Sequence, residues 1–370
     1  MRRFSWDLIR VACVLMVVLY HSTQVVPDNY PDLVDRRFVF PHQIGASLLL
    51  VVSAYFVCAS LRRHGVARWW VGRLARLLPG FVAATLLAYV AADVLTPGGP
   101  EPTLRDLAAN LLMLWNWDRT WGYLDGSYWT IPLQLLAFTA AALLWRRRWG
   151  SGVRLRVVLW VAALLPMAQL PLKAIAPPVY GVLVDGLGFH RMHLFVAGVA
   201  IFLCARWRLG VPHAAALLGT CTAAQFVHGG IDASGALIGD RIAVAGVGVG
   251  MAAMLLAASG PDWDWLVPSA VRPVVTWLAG ISYGVFLVHQ TLGMVLMRRL
   301  QMIGVGPTLQ TVAMLLQAVL VGWLLTRLVE RPAHRQLMAA FDRRTVRPVV
   351  LPAPVSAPVP VAAAAADRTG

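Results

Sequence analysis

The stretch RVACVLMVVLYH, residues 10–21, encloses ten uncharged residues between an arginine and a histidine. A helix turns about 100° and rises about 1.5 Å per residue, so eleven steps return a side chain to within roughly 20° of its starting face, about 16 Å further along. Arg10 and His21 therefore line one stripe of an otherwise apolar helix. The surrounding MRRFSWDLIRVACVLMVVLYHSTQ has the basic start and apolar run of a secretory signal. No small-residue cleavage site follows Tyr20, and PDNYPD comes next, so the segment reads as a retained first membrane helix.

The rest of the chain agrees with a membrane setting. Hydrophobic residues fill 59% of 370 positions, charged residues only 13%, and the mean hydropathy is +0.67, which defines a polytopic membrane protein. The net charge of +15 rests almost wholly on arginine, Lys173 being the single lysine. A nucleic-acid-binding protein gathers such charge on one surface of a polar domain. Here it falls between apolar segments, as in cytoplasmic loops, so no nucleic-acid partner is expected. Cys13, Cys58, Cys204 and Cys221 lie in apolar runs without CxxC spacing, which offers neither a disulfide framework nor a zinc site.

Ten runs are long enough to span a bilayer, at about 7–26, 44–62, 74–95, 128–146, 154–171, 189–206, 212–229, 241–259, 277–298 and 308–329. The expected fold is all-α, with both termini cytoplasmic. The basic loops RRHGVARWWVGRLAR and RRRWGSGVRLR alternate with the neutral or acidic PDNYPDLVDRR and the long loop around 96–127. Two loops run against that orientation, the acidic PDWDWLVPSAVRP and the basic MRRLQMIGVGP, but the early basic loops dominate. Within the long loop, LRDLAANLLMLWN reads as a short interfacial helix near Trp115, Trp117, Trp121 and Trp129. Residues 1–335 form a membrane domain, and 336–370 a cytoplasmic, largely disordered Pro/Ala/Val-rich tail.

An ionisable group inside a membrane segment is costly unless it faces protein or water, and so marks a functional site by default. Simpler readings exist: Arg10 snorkels to headgroups, and His21 caps a helix end. Further motifs shift the balance. VSAYFV holds Ser53, RLARLLPG holds Arg73 and Arg76 before Pro79, SYWTIPLQ holds Trp129 and Gln134, ISYGVFLVHQ holds Tyr283 and His289, and LVERPAHR holds Glu330.

Taken together, the chain resembles the type 3 integral-membrane acyltransferases, which O-acylate bacterial surface glycans and some secondary metabolites. The family's basic residue, ten others and histidine match Arg10 and His21. Its RxxR and proline match Arg73, Arg76 and Pro79, and its "SYxxYLxH" matches Ser282, Tyr283, Phe286, Leu287 and His289, with phenylalanine for the second tyrosine. Its closing "ErP" is Glu330, Arg331 and Pro332, and the serine of its "SGF-like" stretch is Ser53, with Ala54 for glycine. The matches run from residue 6 to 335. One departure is Gln134, where the family often has glutamate in "WSLxVE". Glutamine keeps hydrogen bonding but cannot carry charge, so either the position is structural or the protein is an inactive relative.

The resemblance implies acyl-CoA as co-substrate, no permanently bound cofactor, and a glycan or polyketide-like hydroxyl acceptor. Arg10, Arg73 and Arg76 would grip the donor's phosphates, since guanidinium binds phosphate bidentately while staying ionised. A pantetheine arm would reach His21 about 16 Å away, and there imidazole, with its ordinary pKa near 6.5, acts as general base. An acyl-histidine intermediate stays open. Ser53, Trp129, Gln134, Tyr283, His289 and Glu330 are acceptor contacts or structural groups. His190 and His193 of HRMH read as a polar cluster at a helix start rather than as metal ligands, and no role falls to His42, His64, His213, His228 or His334. The expected location is the inner (plasma) membrane. A transporter or flippase with Arg10 and His21 lining a substrate path is the competing class.

Overall fold

The computed structural model describes residues 3–29, 38–61, 65–95, 102–118, 120–146, 151–229 and 239–345, and its described elements are helices without a strand. That follows from the apolar composition, because lipid offers no water to backbone N–H and C=O groups, and a helix pairs them within itself. The principal elements are α1 (Phe4–Tyr20), α2 (Ile44–Leu61), α3 (Val66–Leu95), α4 (Leu104–Leu111), α5 (Thr130–Arg146), α6 (Gly152–Leu164), α7 (Met192–Ala205), α8 (Val211–Val227), α9 (Arg241–Ser259), α10 (Arg272–Val288), α11 (Gln290–Met302), α12 (Pro307–Leu325) and α13 (Arg331–Thr345). Seven stretches are long and apolar enough to cross a bilayer singly, and two bent helix pairs raise this to nine among the described residues. The expected run 212–229 forms the seventeen-residue α8, which at about 25 Å falls short of the roughly 30 Å apolar core.

The core is built on α2, which packs against α1 and α7, while α1 also packs on α10. Gly45 makes the α1–α2 crossing close: a methyl there would collide with the Cys13 carbonyl and the Val17 backbone. The amino-terminal start of α1 is fixed by Asp262, whose carboxylate accepts from the N–H groups of Phe4 and Ser5 at 2.8 and 2.7 Å. A carboxylate suits the exposed donors and positive end of a helix. The short helix expected in the long loop is α4, held by a capping box between Thr103 and Asp106.

Two expected single helices are interrupted where site residues lie. The run 277–298 breaks at His289, where α10 and α11 diverge by 72°. At the end of α1, His21–Val25 widens into a π turn, and Thr326–Glu330 does the same between α12 and α13; such turns recur at functional sites. α13 continues to Thr345, into the stretch that composition assigns to the tail, and residues 346–370 lie outside the described residues.

Candidate active site

A cavity of about 940 Å³ opens between α1, α2, α3, α5 and α10, and Arg10, Arg73, Arg76, Ser53, Gln134 and Tyr283 all line it. Its cationic character is lopsided. Arg68 at its rim pairs with Asp342 at 2.8 Å, and Arg10 lies 3.9 Å from Asp7 and over the Phe56 ring at 4.4 Å. The exposed Arg76 has no ion pair among the described residues. Arg73 is partly committed to the scaffold, since its Nη2 donates to the Phe56 carbonyl at 2.8 Å and to the Ser60 hydroxyl at 2.5 Å. Its other donors remain for an anion.

Ser53 and Gln134 meet across the cavity wall, the hydroxyl donating to Oε1 at 3.4 Å. That contact needs an acceptor and not a charge, so glutamine fills the position as a helix-to-helix link. Tyr283 donates its phenol to the Leu77 carbonyl at 2.7 Å, beside the proline-containing part of α3. Glu330 is buried outside the cavity, with Oε1 unpartnered and its side chain against Gly80; it interacts electrostatically with Arg76 and Tyr283.

His21 does not line the cavity. It lies outside the cavity, whose lining includes Val14 and Phe286, and the Phe286 ring is 5.8 Å from that of His289. The side chain nonetheless faces protein, only 6% exposed, and pairs with His289, whose Nε2 is 3.1 Å from His21 Nδ1. Neighbouring carbonyls fix the tautomers. His289 Nδ1 is 2.7 Å from the Phe286 carbonyl and must donate to it, which leaves Nε2 as a lone pair. His21 Nδ1 is 2.9 Å from the Val17 carbonyl and so carries its hydrogen, shared with His289 Nε2. The remaining nitrogen, His21 Nε2, therefore holds a lone pair, the form a proton acceptor requires.

The break that places His289 is stabilised from far along the chain. In an unbroken helix the Thr291 N–H would donate to the Leu287 carbonyl. Instead Thr291 N–H donates to Asp125 Oδ2 at 3.0 Å, and the Leu287 carbonyl accepts from the Tyr128 phenol at 3.2 Å. Both groups of the opened turn are satisfied by the segment DGSYW. Asp125 is also held by the Ser127 N–H at 2.9 Å and hydroxyl at 2.5 Å, and it interacts electrostatically with His21. Gly126 permits this approach, because a methyl there would meet Gln290 Nε2 at 2.8 Å. The sequence reading passed over Asp125 and Tyr128. The available signal was an Asp-Gly-Ser helix start, which Asp favours as a cap.

Trp129 stacks under the Arg191 guanidinium at 3.7 Å. His193 Nε2 is bonded to Gln225 at 2.8 Å, and His42 pairs with Asp240 at 2.6 Å. His213 accepts from Trp160 at 3.0 Å, and His64 lies outside the described residues. Among the described residues no group of three or more His, Cys, Asp or Glu is arranged to hold a metal ion.

A multi-pass helical membrane protein with an arginine-lined cavity, one of whose lining residues, Phe286, borders a buried imidazole pair, has the parts of a group-transfer enzyme. A family model described as an acyltransferase domain matches residues 3–327, nearly the whole chain, and the protein belongs to that type 3 acyltransferase family. It is an acyltransferase. No curated protein and no solved structure matches the chain.

Proposed function

We propose that this enzyme moves an acetyl or other short acyl group from acyl-CoA to a hydroxyl of a surface glycan or secondary metabolite. The enzyme is placed in the inner membrane with its arginine-lined end toward the cytoplasm. The observation that carries the reading is the cavity itself, which runs from Arg10, Arg73 and Arg76 to Phe286, next to the paired histidines. A polyanionic head at the arginines leaves a thioester at the end of its arm facing the imidazoles, once Phe286 yields.

His21 Nε2 takes the proton of the acceptor hydroxyl as its oxygen attacks the thioester carbon. The C–S bond breaks as the C–O bond is made, and the proton passes to the thiolate, releasing coenzyme A. While His21 is protonated, its Nδ1–H points at the His289 lone pair and Asp125 offsets the charge. His21 is the catalytic base, and Arg10 serves the reaction through its grip on the donor. Membranes carrying the enzyme, given acetyl-CoA and envelope glycan, should release free thiol, and His21→Ala should abolish the release without affecting insertion. Release unchanged in His21→Ala contradicts the reading.

A further inference from the structure

Outside the lining of the arginine-rich cavity lies a cation that the proposed reaction does not use. Arg191 stands at the start of α7, its guanidinium 3.7 Å over the Trp129 ring and its Nε donating to His190 Nε2 at 3.0 Å. Nη1 is out of reach of solvent and has no hydrogen-bond partner. No carboxylate among the described residues pairs with Arg191; the groups that face it electrostatically are the phenols of Tyr20 and Tyr123 and the imidazoles of His190, His193 and His228. A half-buried guanidinium with one nitrogen shut off from solvent and no counter-charge is a cost to the folded protein, because desolvation is not repaid. Such costs persist at sites where a ligand supplies the missing partner.

The position is adjacent to the chemistry. The Tyr20 ring lies 5.1 Å from that of His21, and Trp129 belongs to the DGSYW segment that secures the His289 break. Stacking on Trp129 fixes the plane of the guanidinium and directs its donors edgewise, the geometry that matches a carboxylate or phosphate.

The geometry points to Arg191 as the centre of an anion-binding subsite for the acyl acceptor, which would carry a carboxylate or a phosphate near the hydroxyl that is acylated. This rests on the acyl-transfer reading and specifies the substrate class at its second side.

The test uses the detergent-solubilised full chain and thermal unfolding, with glucuronate, glucose 6-phosphate and glucose as probes at equal ionic strength and acetyl-CoA as a separate ligand. Glucuronate, glucose 6-phosphate or both should raise the melting temperature of the wild type more than glucose does, and the more effective probe identifies the anion. Arg191→Gln and Arg191→Met should melt no lower than the wild type, should lose the excess shift given by the anionic sugar, and should keep the acetyl-CoA shift. Equal shifts from all three sugars in the wild type, an excess shift retained in the variants, or variants that melt far lower or fail to accumulate would overturn the subsite and make Arg191 structural. A missing acetyl-CoA shift in every form would instead count against the donor reading and leave the sugar comparison to decide the subsite.

Discussion

His289 accepts, through Nε2, the hydrogen that His21 carries on Nδ1, across 3.1 Å and with the two rings 75° apart. The two residues are 268 positions apart in sequence and each sits where a helix departs from α geometry. The pairing, together with the Val17 carbonyl, decides which nitrogen of His21 faces the reaction, and several consequences can be measured.

Replacing His289 by phenylalanine removes one of the two acceptors of the His21 Nδ1 hydrogen and leaves the Val17 carbonyl alone to orient the ring. We expect kcat to fall by roughly 10²-fold, toward the lower end of general-base contributions, with the KM for acyl-CoA unchanged. His289→Gln, which can still present a carbonyl oxygen to Nδ1–H, should recover part of the rate. Equal losses in the two variants would mean that His289 serves packing alone.

Asp125 accepts from Thr291 N–H and from both donors of Ser127. In Asp125→Asn one oxygen becomes an NH₂ facing an N–H or O–H donor, at a cost of about 1–3 kcal/mol for the buried group left unsatisfied. Thermal unfolding should show this loss, together with lower acyl transfer. Unaltered stability would contradict the role of Asp125 in holding the break at His289.

Arg76 lines the cavity without an ion pair among the described residues, so Arg76→Ala should act on donor binding. A lost charge-assisted hydrogen bond of about 1.5–3 kcal/mol corresponds to a KM for acyl-CoA raised roughly 10- to 100-fold, with kcat little changed. The wild-type KM should also rise with salt, since partly exposed charges are screened.

Gln134→Glu should leave activity close to that of the wild type, because Ser53 needs only an oxygen to donate to. Transfer that appears only in the glutamate variant would mean the native chain is inactive.

For the loop, the Thr103 hydroxyl and backbone N–H hold the Asp106 carboxyl below its ordinary range. A depressed carboxylate gives stability that is complete above its unfolded pKa of about 3.9 and is lost as pH falls through the lower folded value. Hydrogen exchange across Leu104–Leu111 should therefore show no carboxylate-linked change in protection between pH 5 and 8, with protection lost only on strong acidification. Loss of protection near neutrality would contradict the capping box.

That Arg10 and His21 both face protein was legible because α1 is a regular helix up to Tyr20, although only Arg10 lines the cavity. The arginines were legible for a similar reason, as a short motif on one helix at the same end. The break at His289 was not. ISYGVFLVHQ has no residue at 288–290 that ends a helix by itself, and the partners that stabilise the opened turn come from 159 and 166 positions away. The place of Phe286 in the cavity lining, next to His289, likewise depends on how α10 crosses α1. In HRMH the two histidines at metal-ligand spacing mask the arginine between them, Arg191. The rule that an arginine within a membrane segment needs an explanation would have singled it out.

The central claim is that donor binding and proton transfer reside in different residues at opposite ends of one stripe. Direct binding of acetyl-CoA to purified protein, measured beside thiol release in His21→Ala and Arg76→Ala, tests it most directly. The account predicts that His21→Ala binds acetyl-CoA as the wild type does and transfers nothing, while Arg76→Ala binds weakly and recovers its turnover at saturating donor. Loss of binding in His21→Ala, or transfer surviving in it, would contradict the account.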